Sequence, residues 1–355
     1  MISIETGHGG DPRSELLNRL KREIKERFSE SEHPYHNYSH ALDVDVISLK
    51  IFDVIQNVDP SLITEADELA REVVPYSHDI IINYDVPQDG PMAGLRERER
   101  GFFSEDLSEK HKAKGVMGNE RASLKMVTAL IRRVDPNGAV FKQNVISEIK
   151  EATAATFPKP EFAKIPEEEW EKMSPELKSY FDEEGKGLRI YQPHLEKESG
   201  VVSFAIALAD LSSGGIVSSE ASMERGDAEY RETRQWIADK MKEGVLNISN
   251  EEKKRMIDDM RKWMKMQVQF FTWRKIETVR IIKEHHFNTT KENADKIKDA
   301  LVVPMSERFD ELISKSINRS KRFETPEYEG TSLVAVDLNK QLATLLREFG
   351  YFDEN

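Results

Sequence analysis

Residues 34–44 read PYHNYSHALDV, a stretch that places His36 and His40 four positions apart at the start of a long apolar-periodic segment. The apolar side chains of that segment recur at steps of three and four residues, the period of an amphipathic helix. They are Ala41, Val44, Ile47, Ile51, Val54 and Val58. Because His40 falls on the same face, the stretch predicts a helix whose first inward-facing position is a histidine.

Two other fragments carry side chains of related chemistry. A further helix is predicted to kink or end at Pro75, just before the dipeptide His78-Asp79. Asp210 stands inside the apolar run VVSFAIALADL. An unpaired carboxylate buried in such a run would cost several kcal/mol, so a cationic partner is expected. That partner is either a metal ion or a lysine or arginine, and the burial pattern alone leaves both open.

Nitrogen and oxygen donors from these three segments form a set that a divalent metal can use. The predicted ligands are His40, His78, Asp79 and Asp210. A cation held by two imidazoles and two carboxylates keeps an open position for water, and can lower the pKa of that water from 15.7 towards about 7. The same ion neutralises charge on a phosphoryl oxygen, so phosphoester hydrolysis suits such a site best.

Composition narrows the class of protein. The 355 residues carry a formal charge of −13, which argues against an extended nucleic-acid surface or an anionic-membrane footprint. There is no cysteine, so disulfides, thiolate metal sites and cysteine nucleophiles are excluded. The longest apolar run is too short for a membrane span and the N-terminus has no signal pattern. These features predict a soluble cytoplasmic protein.

Helical periodicity dominates, and alternation typical of a strand appears only at residues 332–336. The sequence therefore predicts an all-α protein. We expect a core at 13–216, a C-terminal helical extension at 217–325 that packs on it, and a tail at 326–355. Residues 83–118 are predicted to be a long loop. The acidic segment 158–187 is expected either to cover a pocket or to form a solvated surface helix.

The order His40, then His78-Asp79, then Asp210 resembles the H…HD…D pattern of the HD-domain superfamily of metal-dependent phosphohydrolases. YHNYSHALDV is similar to the HNxxHA motif of cyclic-nucleotide phosphodiesterases. NERAS at 119–123 resembles the NExxS motif of a group of predicted bacterial phosphohydrolases. The likeness spans 34 to about 215 and implies an HD-domain helical bundle with the four ligands named above.

The resemblance also implies roles for residues around the ligands. His36 would protonate the leaving oxygen, for which a near-neutral pKa is suitable. Glu120 would orient a metal-bound water or a histidine, and Asn37 would contact substrate. Two alternatives stay open: His36 as a residue of the turn before the helix, and Glu120 as a carboxylate that stabilises a helix N-terminus.

Departures from the family pattern bear on the metal content. No second histidine follows shortly after His78-Asp79, and neither His111 nor His194 lies in a matching motif. We therefore expect one tightly held ion, with Asp79 able to bridge to a weaker second ion. Mixed nitrogen and oxygen sites accept Mn, Fe, Mg, Co or Zn, so the sequence does not distinguish among them.

A candidate substrate-binding pair lies in the segment KMQVQFFTWRKIETV. Gln267 and Phe270 are three residues apart, share a helix face and could clamp a base. The segment resembles the QVGF sequence of cyclic-nucleotide phosphodiesterases, although aromatic and amide residues at this spacing are also typical of a helical core. Arg96, Arg98 and Arg100 could reach a phosphate or form a solvated face.

Taken together, these features predict a metal-dependent phosphohydrolase or phosphodiesterase that hydrolyses a nucleotide or related small phosphoester through a metal-activated water. The alternative is a non-catalytic HD-like module that binds a nucleotide or a protein. A third hypothesis is a helical interaction protein built on residues 220–322, and homo-oligomer formation is left open.

Overall fold

Helices make up most of the chain, and the predicted all-α class is confirmed. The computed structural model describes residues 11–29, 33–80, 119–216, 218–242, 244, 247–324 and 338–352. Its helices are α1 (Pro12–Ser29), α2 (Tyr38–Val58), α3 (Glu65–Ser77), α4 (Asn119–Val134), α5 (Gln143–Thr156), α6 (Glu167–Lys172), α7 (Pro175–Lys178), α8 (Val201–Ile216), α9 (Ser219–Thr233), α10 (Gln235–Lys242), α11 (Asn250–Glu284), α12 (Lys291–Phe323) and α13 (Leu338–Glu348). A short 3₁₀ turn, Pro60–Leu62, joins α2 to α3. Within these ranges no helix is both long and apolar enough to cross a membrane.

The largest core is built around α8. Helices α2, α3 and α5 pack against it, and α1 and α4 complete the layer around them. The run from Val202 to Ala209 is almost entirely inaccessible to solvent, as expected for a helix that is apolar on all sides. Asp210 follows directly, so the most buried helix delivers a carboxylate to the middle of the fold.

The C-terminal helices form a second core and also contact the first. Tyr230, Ile237, Met260 and Leu346 are buried together in the second core. Leu346 belongs to α13, so the range 326–355, predicted as a tail, includes a packed helix.

Helix α12 contains a proline, a residue that usually kinks or ends a helix. It runs without a break through Pro304. Leu301 and Met305 on either side are both buried in the first core. Their packing offsets the cost of a proline inside a helix, about 3 kcal/mol.

A two-stranded antiparallel sheet occupies part of the segment 158–187 and the residues after it. Strand β1 (Lys159–Lys164) pairs with β2 (Lys186–Tyr191), with Phe162 opposite Leu188. Sequence reasoning missed it because neither strand alternates clearly between apolar and polar positions, and both are partly exposed. Strand β2 packs on α11. Residues 83–118, predicted as a loop and including the three arginines and His111, lie outside the described residues, as do residues 332–336.

Candidate metal centre

The structure brings the four predicted ligands into one group. His40 Nε2 lies 3.3 Å from Asp210 Oδ1 and 3.7 Å from Asp79 Oδ2. His78 Nε2 lies 3.1 Å from Asp79 Oδ2 and 3.4 Å from Asp210 Oδ1. All four donor atoms fall within 4.8 Å of one another, and all four residues are buried. This group could hold a metal ion.

Local structure explains how each histidine faces the group. Asn37 caps α2, since its Oδ1 accepts hydrogen bonds from the backbone N–H groups of Ser39 and His40. The cap fixes the first turn and directs His40 inward. His78 follows the last residue of α3, and its Nδ1 lies 3.3 and 3.0 Å from the carbonyl oxygens of Val74 and Pro75.

These carbonyls can only accept, so Nδ1 of His78 carries a hydrogen and Nε2 is the atom that faces the carboxylates. A histidine held in this way by backbone carbonyls is the usual arrangement around a protein-bound metal. Ligand atoms about 2.1 Å from one ion stand roughly 3.0–3.4 Å apart along the edges of a tetrahedron or octahedron. The four His–Asp distances here are close to that spacing, so the residues fit a divalent cation.

The pKa shifts of the two aspartates also fit a bound divalent cation. Burial acts to raise the pKa of Asp79, but the neighbouring imidazoles, His78 first, outweigh burial and lower it. The pKa of Asp210 is lowered in the same way, by His40 and His78. Both carboxylates are therefore ionised in the interior. The described ion-pair contacts of Asp210 within 4 Å are with His40 and His78, and its charge also reaches the buried Arg274.

His36 lies beside these four residues, and its ring contacts the carboxylate of Glu232. Its Nδ1 lies 2.5 Å from Glu232 Oε1, and its Nε2 lies 3.8 Å from Asp79 Oδ2. The other oxygen of Glu232 accepts hydrogen bonds from the backbone N–H groups of Tyr35 and His36, at 2.9 and 3.1 Å. Burial acts to lower the pKa of His36, but Asp79 and Glu232 outweigh burial and raise the pKa to about 9.

Glu232 was not predicted from the sequence. It lies on α9, far along the chain from His36, in the polar stretch AEYRETR, which carries no motif. The one available signal was its spacing from Glu229, since carboxylates three apart share a helix face. Only the packing of the folded chain shows that Glu232 contacts His36.

Glu120, in the first turn of α4, is buried near the ligands. Burial raises its pKa to about 8, and the charges of Asp79 and Asp210 add to that effect. Its side chain is therefore mostly protonated at neutral pH, so it can donate a hydrogen bond. Because Glu120 also stands in the first turn of α4, the alternative of a carboxylate that stabilises a helix N-terminus stays open.

A cavity of about 260 Å³ opens beside the metal group and joins it to the predicted substrate-binding pair. It is lined on one side by His36, Asp79, Glu120 and Asp210, and on the other by Gln267, Phe270, Leu188, Ile190 and Trp263, among others. Asn37 does not line it. Both ends of the Asn37 amide are used in the α2 cap, where Nδ2 donates to the carbonyls of His33 and Pro34. A substrate-binding role for Asn37 therefore has no support in this geometry.

The Gln267 amide is held in one orientation by a buried network. Arg319 Nη1 donates to Gln267 Oε1 at 3.2 Å, and the guanidinium of Arg319 is paired with Asp227 at 2.8 and 2.9 Å. Gln267 Nε2 is buried without a hydrogen-bond partner among the described residues. It packs against Gly226, where any Cβ would collide with it. Gln267 lines the cavity, and its amide nitrogen is an unused donor buried beside Gly226.

Comparison of the chain with protein-family models, curated proteins and solved structures finds no match.

Proposed function

We propose that this protein is an HD-type metal-dependent phosphohydrolase that acts on a nucleotide or a related small phosphoester. The observation that carries the proposal is the convergence of His40, His78, Asp79 and Asp210 beside a second, carboxylate-backed histidine, His36, at the wall of a ligand-sized cavity. Metal donors and a proton donor at one cavity are what hydrolysis of a phosphoester requires.

The four ligands would hold one divalent cation, with Mn, Fe, Mg, Co and Zn all compatible with the donor set and a weaker second ion adjacent to Asp79. When bound, such a cation supplies Lewis acidity that stabilises charge on a phosphoryl oxygen and lowers the pKa of water. The ionised state of Asp79 and Asp210 in the interior is consistent with this role.

His36 supplies the proton for the leaving oxygen. In the metal-free protein the pKa of His36 is about 9, so its imidazole is protonated at neutral pH. Glu232 contacts Nδ1, and Nε2 lies on the side of Asp79. Glu232 also fixes the ring through the backbone of Tyr35 and His36. We assign Glu232 as the positioning residue of His36, and protonated Glu120 as the donor that orients the attacking water.

Gln267 and Phe270 bind the non-reacting part of the substrate. Phe270 offers a ring for stacking and the unpartnered Nε2 of Gln267 offers a hydrogen bond, which together suit a planar heterocycle with an acceptor. We further propose a cytoplasmic location, which the absence of cysteine allows.

The test combines elemental analysis with a panel of phosphomonoesters, cyclic nucleotides and dinucleotides. Metal-loaded wild-type protein is expected to hydrolyse at least one class of these phosphoesters. Asp79→Ala should lose both the metal and the activity. His36→Asn should keep the metal, and its turnover should fall by about 10²–10⁴-fold. Asp53→Asn, at an exposed position of the same helix as His40, is the matched control. Ligand binding by calorimetry without any turnover would instead favour the non-catalytic module.

A further inference from the structure

Arg225 is the one lysine or arginine among the described residues that line the cavity. It lies on α9, the helix that carries Glu232. The other ionisable groups of the wall are mainly acidic, and they are Asp79, Asp210, Glu120 and Glu229, with Tyr35 and His36. A cation at the metal group would balance the charge of the two aspartates. The guanidinium of Arg225 and the imidazole of His36 are then the basic side chains of the described wall.

The guanidinium of Arg225 is only partly satisfied. Its Nη2 pairs with Asp43 on α2. Its Nη1 is buried and has no hydrogen-bond partner in the described part of the chain. An arginine side chain offers several N–H groups in a planar fork, so it can bind one anion through Nη2 and a second through Nη1. An unused buried donor is costly, and an anion at Nη1 would remove that cost.

Tyr35 shows that Arg225 is near the metal group. The Tyr35 ring lies 4.7 Å from the ring of His36 and 4.8 Å from that of His40, measured between centroids. Tyr35, Asp79, Asp210 and Arg225 all line the same cavity. A ligand at the metal group is therefore within the neighbourhood of Arg225.

We propose that Arg225 binds a second anionic group of the substrate, a phosphoryl group adjacent to the one that reacts at the metal group. The substrate class is then a phosphoanhydride or polyphosphate ester rather than a singly charged cyclic diester. In the reaction, water oxygen bonds to the reacting phosphorus and the bridging P–O bond breaks. The departing phosphoryl oxygen takes the proton of His36, and the water proton passes to solvent.

Because this assignment deepens the proposed phosphohydrolase function, its test uses binding as well as turnover. Calorimetry on the full, metal-loaded chain compares inorganic orthophosphate with imidodiphosphate, whose P–N–P bridge resists hydrolysis. The wild type is expected to bind imidodiphosphate at least about tenfold more tightly than orthophosphate, because one additional charge-assisted hydrogen bond strengthens binding by about that factor. Metal content measured after each titration separates binding from removal of the metal.

Variants identify the residue responsible. Arg225→Met should weaken imidodiphosphate binding about 10- to 100-fold and change orthophosphate binding by less than about twofold, with Arg225→Lys intermediate. Arg234→Met removes an arginine that is paired with Asp259 and does not line the cavity, so it should keep the preference.

The outcomes separate the two claims. Equal binding of both probes by the wild type, or an Arg225→Met variant that retains the preference, overturns the role of Arg225 even if phosphoesters are hydrolysed. If the preference for imidodiphosphate depends on Arg225 but the protein hydrolyses no phosphoester, the result supports the binding site at Arg225 and contradicts the proposed hydrolase activity.

Discussion

Replacement of Glu232 by glutamine tests the contact between His36 and the carboxylate behind it. The contact is 2.5 Å long, and Asp79 and Glu232 together raise the pKa of His36 to about 9. A charge-assisted hydrogen bond is worth about 2 kcal/mol, or roughly 1.5 pKa units. Glu232→Gln should therefore lower the pKa of His36 to about 7.5, while Asp79 keeps it above the ordinary value.

The assay is NMR titration of metal-free protein labelled at histidine, with the His36 signal assigned from the His36→Asn variant. At pH 9 about half of His36 should be protonated in the wild type and about 3% in the variant, whereas at pH 6 both should be fully protonated. Glu224→Gln, at an exposed position of the same helix, should titrate like the wild type. An unchanged His36 titration in Glu232→Gln would refute the electrostatic role of Glu232.

A raised folded-state pKa also links His36 to stability. The stabilisation is fully present below the unfolded-state pKa of about 6.5 and is lost as the pH rises through about 9. As the pH rises from about 6.5 to about 9, the metal-free wild type should therefore lose more stability than Glu232→Gln. Urea denaturation of both proteins at pH 6 and pH 9 measures the difference.

Three further changes probe other parts of the fold. Burial lowers the pKa of His285 to about 4, and its ring stacks on Phe204. Between pH 7.5 and pH 5 the unfolded state gains a proton at this residue, so its contribution to stability should fall by about 2 kcal/mol; His285→Phe should remove that contribution in urea denaturation. Gly226→Ala should displace the Gln267 amide, which raises KM for a hydrolysed substrate without changing metal content. Leu346→Ala, at a fully buried position in α13, should lower the free energy of unfolding by about 2–5 kcal/mol in guanidinium titrations.

The sequence predicted those parts of the fold in which a single segment carries its own signal. The amphipathic period of α2 and the uninterrupted apolar run of α8 both mark helices, and a histidine or an aspartate on such a buried face indicates a partner. His40 and Asp210 could be picked out for that reason, and the structure brings them together with His78 and Asp79.

Features that depend on packing between distant segments could not be predicted in this way. Glu232 contacts His36 only because α9 folds against the start of α2. Arg225 pairs with Asp43 across the same boundary. Asn37 matches a family motif, yet local hydrogen bonds occupy its amide completely. The continuity of α12 through Pro304 likewise depends on the core that surrounds it.

The most direct test of the central claim is an anomalous-diffraction map of crystals soaked in Mn²⁺, recorded for the wild type and for Asp210→Asn. One strong peak enclosed by His40, His78, Asp79 and Asp210 is expected in the wild type, and a weak or absent peak in the variant. A cation bound elsewhere, or a peak at this position that is undiminished in Asp210→Asn, would contradict the assignment of these four residues as metal ligands.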